Sequence, residues 1–472
     1  MLGAPELWNT IICDSSIASC QKQADFFLSH AGSLPLHIHT FVDNSEDLFS
    51  LNDYLPRLRE LRISECDVES LELIEEAPLL EYLDIQQKPI EWDALTIAVE
   101  LPVLFDNNAP RLRYLALDGI ISWGDNAFQN LTHLYLSGIP NVVHFQASER
   151  QYPRLIALLQ ASPRLETLTL RSLGLWISKE YNPRITNCGV VKLPCLRRLS
   201  IGNAFPGHVA QLLSNLSLPC GVCMSIHDVF TFSVLPADTS CLHILDSITS
   251  LRLDLHTDTK SGFATGIGKS GSFHIQTLPL AQLFSEQIVD EDYTWNVLLK
   301  QLPSGTSQRL TELWLSGRYN TDDTPLCKTD FRSLFNDLTS LRKLVIIRNH
   351  SAPEILVALA PAQAEASNRY SEFDAPCHSL ESLWIGDLEK DCWTKTRPQL
   401  ISCVKGRALT GRRVPEVRLY VQGKTLRGVQ SALREYVDVV EHQEFPDTIE
   451  GVEWADECLY RGEKVCWPRW KR

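Results

Sequence analysis

Long apolar runs are missing from this chain. No stretch approaches the roughly 20 consecutive apolar residues that a membrane helix needs, so a spanning helix is not expected. Positive charge is also in deficit. Lys and Arg number 44 against 58 Asp and Glu, a formal net charge of -14. Bulk attraction to nucleic acid or to an anionic membrane is therefore not expected, and neither is read as a partner. Glycine (23) and proline (25) are too few for a collagenous or low-complexity chain. The first residues, MLGAPELWNTIICDSS, lack both the basic region and the long apolar region of a secretory signal. Without export, the 14 cysteines are expected as reduced thiols in the cytosol or nucleus.

Catalytic signatures are absent too. There is no H-E-x-x-H, no G-x-S-x-G and no dinucleotide fingerprint. Two segments resemble ligand motifs and fail on detail. Gly266-Ile267-Gly268-Lys269-Ser270 looks like a phosphate loop, but Phe263 stands where the first glycine is required. The segment after it, FHIQT, reads as a strand rather than as the helix start that would meet a phosphate. Cys220 and Cys223 form a single C-x-x-C whose nearest companions are His227, Cys241 and His243. One pair without a second at suitable spacing is read as small buried hydrophobes on or beside a strand. The expectation is a non-enzymatic protein with no cofactor and no metal.

What is present is a repeat. PRLRELRI (56–63), PLLEYLDI (78–85), PRLRYLAL (110–117), QNLTHLYL (129–136), PRLETLTL (163–170) and PCLRRLSI (194–201) share one form. QRLTELWL (308–315), TSLRKLVI (339–346) and HSLESLWI (378–385) continue it, and ITSLRL (248–253) is a degenerate copy. Apolar–x–x–Leu–x–apolar at this recurrence is the leucine-rich-repeat signature. In an extended segment residues i and i+2 share a face. Leu61 and Ile63 therefore point inward, and the Leu of the preceding turn fills the same core. No strand buries that face alone, but a stack does. The fold expected is α/β: a leucine-rich-repeat solenoid (horseshoe) with a parallel concave sheet, convex helices and irregular repeats.

Between the copies, helical spacing of apolar residues predicts helices over Leu71–Glu76, Leu155–Ala161, His208–Leu216, Asn296–Leu302, Phe331–Leu338 and Glu354–Ala360. Two wide gaps in the repeat predict weak strands at Gly221–Ile226 and Phe273–Thr277. The expected organisation is an N-terminal cap over 1–35, an array over 36–425 with an exposed polar loop insertion at 256–272, and a capping helix and tail over 426–472. Val414–Val421 is expected as the last strand.

The sequence resembles fungal F-box-like proteins with C-terminal leucine-rich repeats. The resemblance rests on Pro5-Glu6-Leu7-Trp8, the helix-like Ala24–Ser29, the strand-like Leu34–Ile38, the irregular repeats and the late helix-like SALREYVDVV (431–440). It covers most of the chain. It implies the substrate-recognition part of a Skp-cullin-F-box ubiquitin ligase. On this resemblance residues 1–35 hold a remnant of the F-box end with the N-terminal cap; the helices that dock on a Skp-type adaptor are missing, so an adaptor is a partner only if an F-box lies upstream. Either the gene model is truncated or this activity is lost. The alternative is a stand-alone repeat scaffold with no ubiquitin role.

One outward residue per strand is expected on the concave face. In order these are Arg62, Asp84, Ala116, Tyr135, Thr169, Ser200, Arg252, Trp314, Val345 and Trp384. Of these, Arg62, Tyr135, Arg252, Trp314, Val345 and Trp384 are the candidate contacts for a protein partner. The last three form an apolar stripe suited to anchoring a peptide or protein, since Trp is enriched at binding hot spots. The opposing expectation is that a loop or the tail covers the stripe, with Trp454, Trp467 or Trp470 as candidate covers.

Overall fold

A computed structural model describes residues 8–14, 20–41, 51–68, 71, 73–88, 100–120, 122–138, 151–172, 189–229, 233–256, 261–277, 302, 304–318, 331–361, 375–386, 388, 390–420 and 427–442. The chain divides into two compact units, Met1–Pro219 and Cys220–Arg472. The boundary falls inside the array expected over 36–425.

In the first unit, among the described residues, eight strands pair in parallel. They are β1 (Thr10–Asp14), β2 (Leu36–Phe41), β3 (Leu58–Cys66), β4 (Tyr82–Gln87), β5 (Tyr114–Asp118), β6 (His133–Ser137), β7 (Thr167–Arg171) and, after the two-residue β8 (Val191–Lys192), β9 (Arg198–Ala204). β8 pairs instead with β10 (Leu216–Ser217). Helices α1 (Cys20–His30), α2 (Gln151–Gln160) and α3 (Pro206–Ser214) join them. The repeat sets the register: Leu83, Leu115, Leu134, Leu168 and Leu199 are successive partners, and each is buried. A buried leucine side chain contributes about 1.5–3 kcal/mol. A strand slipped by one residue would turn its whole leucine set to solvent.

The second unit holds β11 (Cys223–Val229), β12 (Ile248–His256), β13 (Ser261–Gly268), β14 (Ser272–Thr277), β15 (Glu312–Arg318), β16 (Lys343–Ile347), β17 (Ser382–Gly386), β18 (Glu416–Tyr420) and β19 (Val439–His442). Its helices include α4 (Ser304–Arg309), α5 (Phe331–Asp337), α6 (Ala352–Leu359), α7 (Lys390–Leu409) and α8 (Arg427–Leu433). From β12 through β15 to β19 the pairing is parallel and sequential. β13 interrupts it. It runs antiparallel to both β12 and β14, and β14 pairs in parallel with β11.

Both units are therefore α/β leucine-rich-repeat stacks with a mostly parallel sheet. The strands expected in the wide gaps are β11 and β14. Helices form close to Leu155–Ala161, His208–Leu216, Phe331–Leu338 and Glu354–Ala360. Residues 296–301 of the expected helix Asn296–Leu302 lie outside the described residues.

Several expectations are corrected. The 256–272 insertion is not a loop, because 261–268 form β13. Its glycines are there for close packing: a Cβ on Gly266 would strike the Phe273 ring, and one on Gly268 would strike Ser247. The described residues of Leu71–Glu76 form no helix. That repeat is short, β3 runs to Cys66, and the backbone bonds outside any helix, with Phe105 N–H donating to the Leu73 carbonyl (2.6 Å) and Ile74 N–H to Asn52 Oδ1 (3.1 Å). Val414–Val421 contains β18 but not the last strand. SALREYVDVV is helical only to Leu433, and its end enters β19. Within the N-terminal cap, Thr10–Asp14 is already a sheet strand.

One buried charge ties the second unit together. Arg407, on α7, is 0% exposed. Its Nη1 donates to the carbonyls of Leu359 (3.2 Å) and Pro376 (2.7 Å), and Nη2 to that of Cys377 (2.9 Å). Leu359 closes α6, so the guanidinium sits where that helix's carbonyl dipoles are negative. Burial pushes the Arg407 pKa below the ordinary arginine value. Replacing Arg407 by Met strands three buried carbonyls, and is expected to cost about 2–4 kcal/mol. Urea unfolding of R407M and R407K checks this. R407K should fall between wild type and R407M, and an unchanged R407M midpoint would contradict the bonding scheme.

Candidate binding surface on the sheet face

The leucines occupy one face of each strand, so the alternate residues line up on the other, outer face. The pairing places Arg62, Asp84, Ala116, Tyr135, Thr169 and Ser200 opposite one another in sequence. Arg252, Trp314, Val345 and Trp384 align likewise, and the row continues to Arg418 and Glu441. In the other direction it runs through Thr265 and His274. Within each unit these residues thus lie opposite one another across neighbouring strands.

Alignment and exposure are different matters. Trp314 is 4% exposed and Val345 0%. The two indoles flank Val345 with ring centroids 6.2 Å apart, edge to face, and with Ile347 they form one apolar cluster. Trp384 is half-buried and carries the stripe's exposed area. Tyr135 is buried, while Arg62 and Arg252 are half-buried. Trp454, Trp467 and Trp470, the expected covers, lie outside the described residues.

Charges on this face are matched locally. Glu312 receives hydrogen bonds from Lys343 Nζ (2.6 Å), Trp314 Nε1 (2.9 Å) and Ser250 Oγ (3.1 Å). Burial pushes its carboxyl up, but those partners outweigh burial and hold it below the usual value. Lys343 also lies over the rings of Trp384 (3.9 Å) and Trp314 (5.1 Å). Trp384 donates to Ser382 Oγ (2.7 Å), which donates to Glu416, and Glu416 pairs with Arg418 (2.7 Å). Arg418 covers the opposite part of the pattern, with its guanidinium 4.6 Å from the Trp384 ring. A cation over an indole gains about 0.5–2 kcal/mol, more as water is excluded.

The first unit has an analogous strip. His37 and Arg62 pair with Glu60 at 3.0 and 2.7 Å, and Arg62 stacks over Tyr82 at 4.7 Å. Tyr82, Tyr114 and His133 then stack in order, at 5.9 and 4.4 Å between centroids. These residues, like Glu312 and Lys343, stand two positions before the row identified in the sequence. The signal was there: the same period of two marks a second outward position in each copy.

The C-x-x-C separates in character. Cys220 is exposed and Cys223, at the start of β11, accepts from the Ser272 hydroxyl at 3.5 Å. Among the described residues, no three or more His, Cys, Asp or Glu side chains gather as metal ligands, and no helix is long and apolar enough to cross a membrane.

No protein-family model matches the chain, and no curated protein does. Among solved structures it is similar to a leucine-rich-repeat protein of Leptospira interrogans, at 12% identity and a TM-score of 0.22, over 80% of this chain and 91% of that one. The fold assignment stands on the strand register above.

The outer row also contains a titratable group with a measurable consequence. His274 is buried, and its Nδ1 lies 2.8 Å from the Thr265 hydroxyl. Burial, and to a lesser degree His227, push its pKa down to about 4 from the ordinary 6.5. The unfolded chain therefore binds a proton that the folded chain refuses as pH falls from 6.5 towards 4. This site should remove up to about 3 kcal/mol of stability across that window. Urea unfolding at the two ends of the window, on wild type and His274→Gln, tests it. The variant should show the shallower loss, and equal losses would contradict the assignment.

Proposed function

We propose that this chain is a protein-binding scaffold that offers the outer sheet face of its repeat units to a partner protein. The observation that carries this is the aligned row of tryptophan and cation around Trp384. Tryptophan and arginine dominate binding hot spots, and here a half-buried indole sits between Lys343 and Arg418 on a rigid sheet. Because Lys343 and Arg418 are already paired with Glu312 and Glu416, the surface favours a partner that brings apolar and hydrogen-bonding groups rather than a concentrated charge. Trp384, Arg62 and Arg252 are the contacts we assign to the partner. Trp314 and Val345 pack beside Trp384 on the same face, and Tyr135 is buried in its row.

A finer reading takes the scaffold as the substrate-recognition part of a Skp-cullin-F-box ubiquitin ligase. Its support is the resemblance to fungal F-box-like repeat proteins and the order of α1, β2 and then the repeats. The alternative is a scaffold with no ubiquitin role. Affinity purification of the full gene product separates them: a Skp-type adaptor in the eluate supports the ligase reading, and partners without an adaptor support the scaffold alone.

For a partner so identified, Trp384→Ala combined with Arg418→Ala should cost about 2 kcal/mol or more, roughly 30-fold in Kd. Titration calorimetry with the purified partner measures it. Unchanged affinity in a folded variant would remove the outer face as the contact surface.

A further inference from the structure

A second surface lies at the edge where β12, β15, β16 and β17 begin. A groove of about 510 Å³ opens there. Its origin is in the repeat. Each of these strands begins at or just after a buried apolar residue: Ile248, Leu310, Leu341 and Leu380. The residues flanking that apolar position cannot follow it into the core. They line the groove instead, as Ser247 and Thr249, Arg309 and Thr311, Ser340 and Arg342, and Ser379. Backbone bonds between neighbours keep them level: Thr311 N–H donates to the Thr249 carbonyl, and Arg342 N–H to that of Thr311, each at 2.8 Å. Three strand spacings of about 4.8 Å make the trough roughly 14 Å long.

Asp246 and Gln308 also line the groove, and Lys269 joins the lining from outside the repeat. It occupies the tip between β13 and β14, where Gly268 N–H donates to the Gly271 carbonyl at 2.9 Å. Gly268 packs so closely on Ser247 that a side chain there would collide. The missing Cβ is thus what brings Lys269 to the groove wall. The glycine-rich GIGKS segment fails as a nucleotide loop, yet it delivers its lysine to a wall of hydroxyls.

The charge balance is favourable to an anion. Arg309 is engaged by Asp246, through the carbonyl at 2.6 Å and the carboxylate at 3.6 Å. Arg342 lies 3.7 Å from Glu381 in an exposed, weak pair. Among the described residues Lys269 has no ion-pair or hydrogen-bond partner, and neither the Ser340 nor the Ser379 hydroxyl makes a hydrogen bond. Arginine and lysine beside free hydroxyls is the donor set that suits a tetrahedral dianion with three acceptor oxygens.

We infer that this groove binds a phosphate monoester, with Lys269 and Arg342 as its charged contacts and Ser340 and Ser379 as hydroxyl donors. The group can arrive on a phosphorylated protein segment or as a small phosphorylated molecule. The site is separate from the outer sheet face, so its test needs no identified partner.

The test uses the full chain and a short fluorescent Gly-Ala-Ser peptide carrying one phosphoserine, its unphosphorylated twin, and free O-phosphoserine as competitor. Anisotropy should show the phosphopeptide binding at least tenfold tighter than the twin, and Lys269→Ala with Arg342→Ala should abolish that difference. Competition by free phosphoserine means that the group suffices from either source. Phosphopeptide binding without such competition means that the source is protein-borne. Both lysine and arginine are exposed, so the double variant should melt with wild type. If it melts early, Lys269→Gln alone replaces it, with at least a threefold loss expected. No phosphate-dependent binding by wild type, equal binding by the variants, or tighter binding of a single-stranded oligonucleotide of matched charge would each overturn the assignment.

Discussion

The constraint on which everything else depends is that a single strand of this repeat cannot bury its own leucines. Leu83 is shielded only because Leu61 and Leu115 lie beside it in register. That burial fixes the pairing, since a slip of one residue exposes the whole apolar set. Once the inward face is fixed, the outward face has no freedom. Residues far apart in sequence are brought side by side roughly every 4.8 Å, which is how Arg252, Trp314, Val345 and Trp384 come to share one row. The binding surface is a consequence of the core.

The outer face then solves its own electrostatic problem. Packing charged residues into close rows would leave like charges adjacent and poorly hydrated. Instead, Glu60, Glu312 and Glu416 each sit beside a cation on the same or the neighbouring strand. The aromatic rings between them give the cations a second, apolar partner. Such a surface has little net field, so a partner would gain from displaced water and ring contacts more than from long-range attraction.

How much of this could be read in advance follows from the same physics. The row register was legible because period two and the leucine signature determine it together. Burial within the row was not. Whether Val345 is covered depends on the rotamers of Trp314 and Trp384, which no spacing encodes. β13 was hidden because its sequence, SGFATGIG, is small and glycine-rich, and its glycines serve close approach rather than flexibility. α7 was passed over for a different reason. Its buried positions Cys392, Trp393, Thr396, Leu400, Cys403, Val404 and Arg407 have helical spacing, but two of them are polar. A buried arginine satisfied by carbonyls looks, in sequence, like a solvated one. The same blindness in reverse gave Leu71–Glu76 a helical pattern where the described residues of the short repeat form no helix.

The edge groove shows why irregularity in a repeat protein carries chemistry. The repeat itself supplies Ser, Thr and Arg around each buried apolar residue, with acids near enough to neutralise the arginines in part. Periodicity alone therefore tends toward a balanced surface. The interrupting hairpin breaks the balance, because Lys269 belongs to no repeat and, among the described residues, has no partner opposite it. Its placement depends on the backbone approach at Gly268, where even a methyl group would collide with Ser247. The departure from the repeat is thus tied to the stack by a steric condition as strict as the leucine register. A chance excursion of the chain would not need a glycine at that contact. A device for holding one extra cation beside a row of hydroxyls would.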